Sequence, residues 1–185
     1  PTILVFTIFG GARKASTHLT KEARMSDLIQ QLFPDLGSLK PLGLIVDLDE
    51  TVCTAFDVPV RAAVDVLIRL NRQKVKVHYV TARTEASREG TDRFIMDHKL
   101  PGWQNIHFCP NWQGSRRHKT EAHARLVREH RVIASIGDTH EEEGEAARLA
   151  GIAFILVERG NPEPAWVALA ELIASAKGFA DEIPT

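Results

Sequence analysis

Short apolar runs alternate with longer stretches of helical spacing along this chain, and that alternation restricts the fold more than any other feature. Residues 1–9 form a first apolar run rich in β-branched and aromatic side chains, suited to a buried strand. A helix is expected over 20–33, stopped by Pro34, and a Pro- and Gly-rich loop over 34–41. Apolar runs recur at 42–48, 75–80, 106–109, 132–136 and 152–157. Between and after them, helices are expected over 60–73, 85–98, 119–130, 142–150 and 164–176. Val60, Val64, Leu67 and Ile68 lie close to helical spacing in the first of these, and Gly151 suits a helix C-terminus. Strands that alternate with helices predict an α/β fold, with a mainly parallel sheet covered by helices on both faces.

In such sheets, ligands collect beyond the carboxyl ends of the strands. Three runs end in polar residues there. Asp47-Leu48-Asp49-Glu50-Thr51 closes the run at 42–48. With one residue between them at a strand end, two carboxylates can divide the work, one attacking while the other handles a proton. Thr81 stops the run at 75–80, where its hydroxyl and amide suit a phosphate oxygen, and Arg83 two residues on suits a second contact. Asp138 follows the run at 132–136 in Gly137-Asp138-Thr139 and would complete an oxygen-rich site for Mg²⁺, a hard cation. Lys119, in Arg116-Arg117-His118-Lys119 at a helix start, can neutralise a phosphate and an attacking carboxylate together. Each signal alone fits ordinary turns, strand ends or solvated charge. The acidic run Glu141-Glu142-Glu143 also fits a helix N-terminus, where the macrodipole favours negative charge.

Taken in order, Asp47-Leu48-Asp49-Glu50-Thr51, Val80-Thr81, Lys119 and Gly137-Asp138 resemble the four motifs of the haloacid dehalogenase superfamily, over residues 42–157. The resemblance implies a Rossmann-like fold and a phosphatase that uses Mg²⁺. It makes Asp47 the nucleophile, through an aspartyl-phosphate, and Asp49 the general acid and base. Thr81 would hold the phosphoryl group, and Lys119 would steady charge around Asp47. The metal would fall to Asp47, the main-chain carbonyl of Asp49, Asp138 and a second acid of the last motif. That acid is Glu142 or Glu143, with the following Ala146-Ala147-Arg148 tail favouring Glu143. Neither 51–81 nor 81–119 has room for a cap domain, so an open site is expected, with 53–59 as a small flap at its entrance and Phe56 packed in that loop. This points to the capless, acid-phosphatase-like branch, and polynucleotide phosphatases share a similar Thr-x-Arg.

At 185 residues the chain reads as a single domain, with 1–40 an N-terminal extension outside the resemblance and 42–157 the catalytic core. With 23 basic against 24 acidic residues, its net charge of −1 gives no global attraction to nucleic acid. The substrate expected is a phosphorylated molecule, small or the end of a macromolecule. Arg83, Arg116, Arg117 and His118 leave a nucleotide or nucleic-acid end open as substrate, and the open site also suits an oligomer that covers it with a neighbour. Trp103 and Trp112 read as core or loop packing, with stacking on a base the alternative. No apolar run reaches the roughly 18–20 residues that span a bilayer, so no membrane partner is expected. The two cysteines, Cys53 and Cys109, read as free thiols in a reducing compartment, which makes the expected location cytoplasmic. A catalytically silent binding or regulatory protein is the reading from another class. The intact Asp47, Asp49, Thr81, Lys119 and Asp138 argue against it.

Overall fold

The computed structural model describes residues 6–7, 40–54 and 57–180. The helix expected over 20–33, most of the 34–41 loop and Phe56 lie outside these residues.

A six-stranded sheet forms the centre. Its strands are β1 (Phe6–Thr7), β2 (Leu42–Val46), β5 (Lys76–Thr84), β6 (Ile106–Cys109), β7 (Arg131–Gly137) and β8 (Ala153–Leu156), in the order β1-β8-β7-β2-β5-β6. All neighbours are parallel except β1, which runs antiparallel to β8. A second, two-stranded sheet pairs β3 (Cys53–Thr54) with β4 (Val58–Pro59), the flap expected over 53–59.

The helices are α1 (Arg61–Arg72), α2 (Arg88–Asp97), α3 (Ser115–Glu129), α4 (Glu145–Ala150) and α5 (Glu163–Ala180). In α1 the buried residues Ala63, Val66, Leu67 and Leu70 repeat at three and four, while Arg69 and Arg72 sit in the last turn, where the macrodipole favours cations. This helix packs with α5 over one face of the sheet, where Leu44, Val46, Val77 and Tyr79 meet Trp166, Leu169 and Ile173. Successive strand residues face opposite ways. Ile45 and Val80 therefore turn to the other face and pack with Ala122 and Leu126 of α3. Helices cover both faces, and no inserted cap separates the elements among the described residues.

Three boundaries differ from expectation. Strand β5 does not stop at Thr81: its outer neighbour β6 extends the ladder to the pair Thr84–Cys109. Helix α3 begins at Ser115, so Lys119 lies a full turn inside it. The acidic run forms a wide π-type turn, His140–Gly144, ahead of α4, and Glu143 and Gly144 are buried in it. At the far end of α4, Gly151 takes φ +71°, as a helix-ending glycine should.

Buried histidines tie α3 to the sheet. His123 bonds the Lys119 carbonyl through Nδ1 (2.7 Å) and Ser135 Oγ on β7 through Nε2 (2.8 Å). His78 and His107 stack on neighbouring strands, their nearest nitrogens 3.4 Å apart. Burial, with like charge nearby, depresses His78 and His107 to about 4, and burial does the same to His123. A base whose folded pKa lies below its unfolded value of 6.5 costs stability as pH falls, because only the unfolded chain takes the proton. These three groups should therefore withdraw stability between about pH 6.5 and 4. Buried acids act in the opposite sense, so a comparison isolates the effect. His107→Gln is expected to lose less of its urea midpoint than wild type over that window, and equal slopes would contradict a neutral His107.

Candidate active site

The site lies where the sheet's connections diverge, beyond the carboxyl ends of the adjacent strands β2 and β7. Asp47 follows β2 directly, and its amide extends the ladder by one bond to the Ile136 carbonyl of β7 (2.9 Å). That bond turns its side chain into the protein, where the residue is 4% exposed. Two residues on, the Asp49 side chain is 52% exposed. The two carboxylates thus occupy different environments, one dry and one wet, which suits them to different tasks. Trp166 of α5 holds the turn that follows, donating to the Thr51 carbonyl at 2.8 Å.

Lys119 reaches this point from α3. Its ammonium lies 3.2 Å from Asp47 Oδ1 and 3.2 Å from Glu142 Oε2, and it bonds Glu143 Oε1 directly. The other oxygen of Glu143 accepts from the Thr139 amide (3.1 Å) and hydroxyl. Gly137 makes this possible, since a Cβ there would collide with Cγ and Cβ of Glu143. Asp138, just past β7, pairs with Arg159 beyond β8 (2.7 Å).

Carboxylate oxygens of Asp47, Asp138 and Glu143 all lie within 4.8 Å of one another. Burial pushes the Asp47 carboxyl up to about 8 against the pull of Lys119, and Glu143 and Asp138 add to the rise. Asp138 is also raised, by burial first. Burial disfavours the charge of Lys119, but Asp47 and Glu143 outweigh it and hold the ammonium protonated. Clustered carboxylates thus outnumber the cations, so the buried Asp47 carboxyl is held toward its protonated form until more positive charge arrives. An all-oxygen cluster of this kind fits a hard divalent cation such as Mg²⁺.

A cleft of about 340 Å³ opens over the cluster, lined among others by Asp49, Ser115, Glu142 and Arg159. That volume is near the lower end for small-molecule sites.

No known family pattern matches the chain, and no curated protein does. Among solved structures it is similar to the class C acid phosphatase from Bacillus anthracis, at 15% identity and a TM-score of 0.54. The match covers 88% of this chain and 87% of that one. That phosphatase belongs to the haloacid dehalogenase superfamily. The fold is of haloacid dehalogenase type.

Within this fold, Asp47, Lys119, Asp138 and Glu143 converge, and Glu143 rather than Glu142 joins the carboxylate cluster. Glu142 lines the cleft and accepts from Ser115 Oγ at 2.6 Å. Thr81 is fully buried, its Oγ accepting from the Arg83 amide (3.1 Å), and the cleft wall beside it is Ala82. Arg83 points its guanidinium at Asp49. Trp103 and Trp112 are 57% and 72% exposed, contrary to the packing expected of them. Sequence reading missed Arg159, although Val157-Glu158-Arg159 follows the last strand in the same manner as Asp47 and Asp138 follow theirs. It also missed Ser115 and Asp57, which carry no strand-end signal.

Gly137→Ala is expected to push Glu143 off Lys119 and to cost about 1–3 kcal/mol in urea unfolding. Gly90, inside α2, faces open space where a Cβ would stand, and its change to Ala should stabilise by up to about 1 kcal/mol. Equal effects at the two positions would contradict the packing of Glu143 on Gly137.

Proposed function

We propose that this protein is a Mg²⁺-dependent phosphomonoester hydrolase working through an aspartyl-phosphate on Asp47. The observation that supports it most is the meeting of Asp47, Asp138 and Glu143 around Lys119, from three separate segments, beneath a cleft rimmed by Asp49. A solved phosphatase with the same fold adds to it.

In this reading Asp47 attacks phosphorus in line and the ester oxygen leaves, taking a proton from Asp49. Asp49 then removes a proton from a water that attacks the same phosphorus, releasing phosphate and freeing Asp47. Covalent catalysis divides one difficult displacement into two. The exposure of Asp49 suits it to exchange protons with a leaving group and a water. Lys119 lessens the repulsion between Asp47 and the phosphate dianion, and Glu143 holds Lys119 in place. Arg83 is the proposed contact to the phosphoryl group, while Thr81, expected to share that contact, is buried behind Ala82 and instead accepts from the Arg83 amide. Asp47, Asp138 and the Asp49 carbonyl would hold Mg²⁺, with Glu143 acting through water because Lys119 and Thr139 engage both its oxygens. When bound, the ion supplies positive charge that draws in the phosphate and offsets charge on its equatorial oxygens.

A nucleotide or polynucleotide-end phosphatase is the second reading, favoured by Trp112, exposed three residues ahead of the cleft residue Ser115. A cytoplasmic location fits the two buried, free thiols, Cys53 and Cys109. No helix among the described residues is long and apolar enough to cross a membrane.

Hydrolysis of an aryl phosphate should require Mg²⁺, stop with a chelator and fall by at least about 10³-fold in Asp47→Asn. Because the crowded, buried Asp47 carboxyl already keeps its proton without metal, Asn there should unfold no earlier than wild type without metal. Turnover that survives Asp47→Asn would overturn the mechanism. In Asp49→Asn, phosphoenzyme should accumulate in rapid-quench experiments while steady-state turnover falls, and normal turnover would exclude Asp49 as the acid and base.

A further inference from the structure

The guanidinium of Arg83 is almost fully engaged before any substrate arrives. Its Nε lies 3.1 Å from each oxygen of Asp49, and one terminal nitrogen lies 2.6 Å from Asp49 Oδ1 and 2.5 Å from Asp57 Oδ1. That nitrogen also stands 3.4 Å from Cys53 Sγ, and the other terminal nitrogen donates to Thr91 Oγ1 on α2 at 3.1 Å. Only 14% of the side chain is exposed. Arg83 therefore links Asp49, the proposed acid at the rim, to Asp57, the residue just ahead of β4.

Asp57 has no role in the motifs and does not line the cleft. Its backbone adopts φ +56°, a region that Asp and Asn enter more readily than other non-glycine residues. Its side chain is 46% exposed, so water and a bound anion can both reach the pair.

Resting on the phosphomonoesterase reading, we propose that Asp57 is a specificity-determining, positioning residue, which holds Arg83 against Asp49 and competes with the substrate phosphate for its guanidinium. A guanidinium fork matches carboxylate and phosphate alike, so the two anions are true alternatives for it. A phosphomonoester dianion carries enough charge to draw Arg83 away from Asp57. A diester, with a single charge, competes less well. Asp57 thus biases the site toward terminal phosphates, at the cost of weaker phosphate binding overall.

Asp57→Asn keeps the backbone preference and the shape of the side chain while removing its charge. Binding of inorganic phosphate, measured by calorimetry in Mg²⁺, is expected to tighten about tenfold, the worth of one charge-assisted hydrogen bond. The thermal midpoint should hardly change. In an Arg83→Gln background the same substitution should leave phosphate affinity unaltered, completing a double-mutant cycle. Asp57→Asn that binds phosphate no more tightly than wild type would overturn the proposal, as would tightening that persists without Arg83. Wild type that neither binds phosphate nor hydrolyses an aryl phosphate would instead remove the phosphomonoesterase reading, and this proposal with it.

Discussion

The buried ammonium of Lys119 governs the site. It sits 4% exposed among the carboxylates of Asp47, Glu142 and Glu143, and it would not stay charged there without them. They in turn could not be packed so closely without it. Much of the surrounding structure maintains this arrangement. The His123 bonds fix α3 to β7 one turn beyond Lys119, the π-type turn carries Glu143 inward, and Gly137 leaves room for its stem. Lys119 compensates only part of the negative charge, which leaves Asp47 carrying excess repulsion. A carboxyl kept under that tension is costly to stability, and functional sites commonly hold such tension.

Two electrostatic layers follow. In the dry layer, Asp47, Glu143 and Lys119 have little water to screen them, so their attractions and repulsions are strong. In the wet layer, Asp49, Asp57, Arg83 and Arg159 form ion pairs at the mouth that water and incoming anions can contest. Asp47 and Asp49 stand two positions apart yet fall in different layers because the chain turns after β2. The division gives two identical side chains different environments.

Much of the fold was legible. The runs at 42–48, 106–109 and 132–136 became β2, β6 and β7 with small changes at their ends, because period and β-branched content are local properties. Boundaries were less legible where a neighbour decides them. Strand β5 runs on to Thr84 because β6 lies beside it, and nothing within 75–84 announces that partner. The site divided in the same way. Asp47, Asp138 and Lys119 could be named from their positions at strand ends and a helix start. Burial of Thr81 behind Ala82, and the exposure of Trp112, depend on packing that residue types do not encode.

The sequence by itself determined the alternating elements, the carboxyl-end placement of Asp47, Asp49 and Asp138, and the chemistry those groups can perform. These follow from periodicity, chain direction and side-chain type, all local quantities. Tertiary structure decided which acid of the Glu141–Glu143 run turns inward, that Arg83 is shared between Asp49 and Asp57, and that Arg159 rests on Asp138. Each of those pairings joins segments distant in the chain or hangs on a fraction of a helical turn. Electrostatic energy varies steeply over such distances in a partly dry cleft, so only the assembled sheet and helices could settle them.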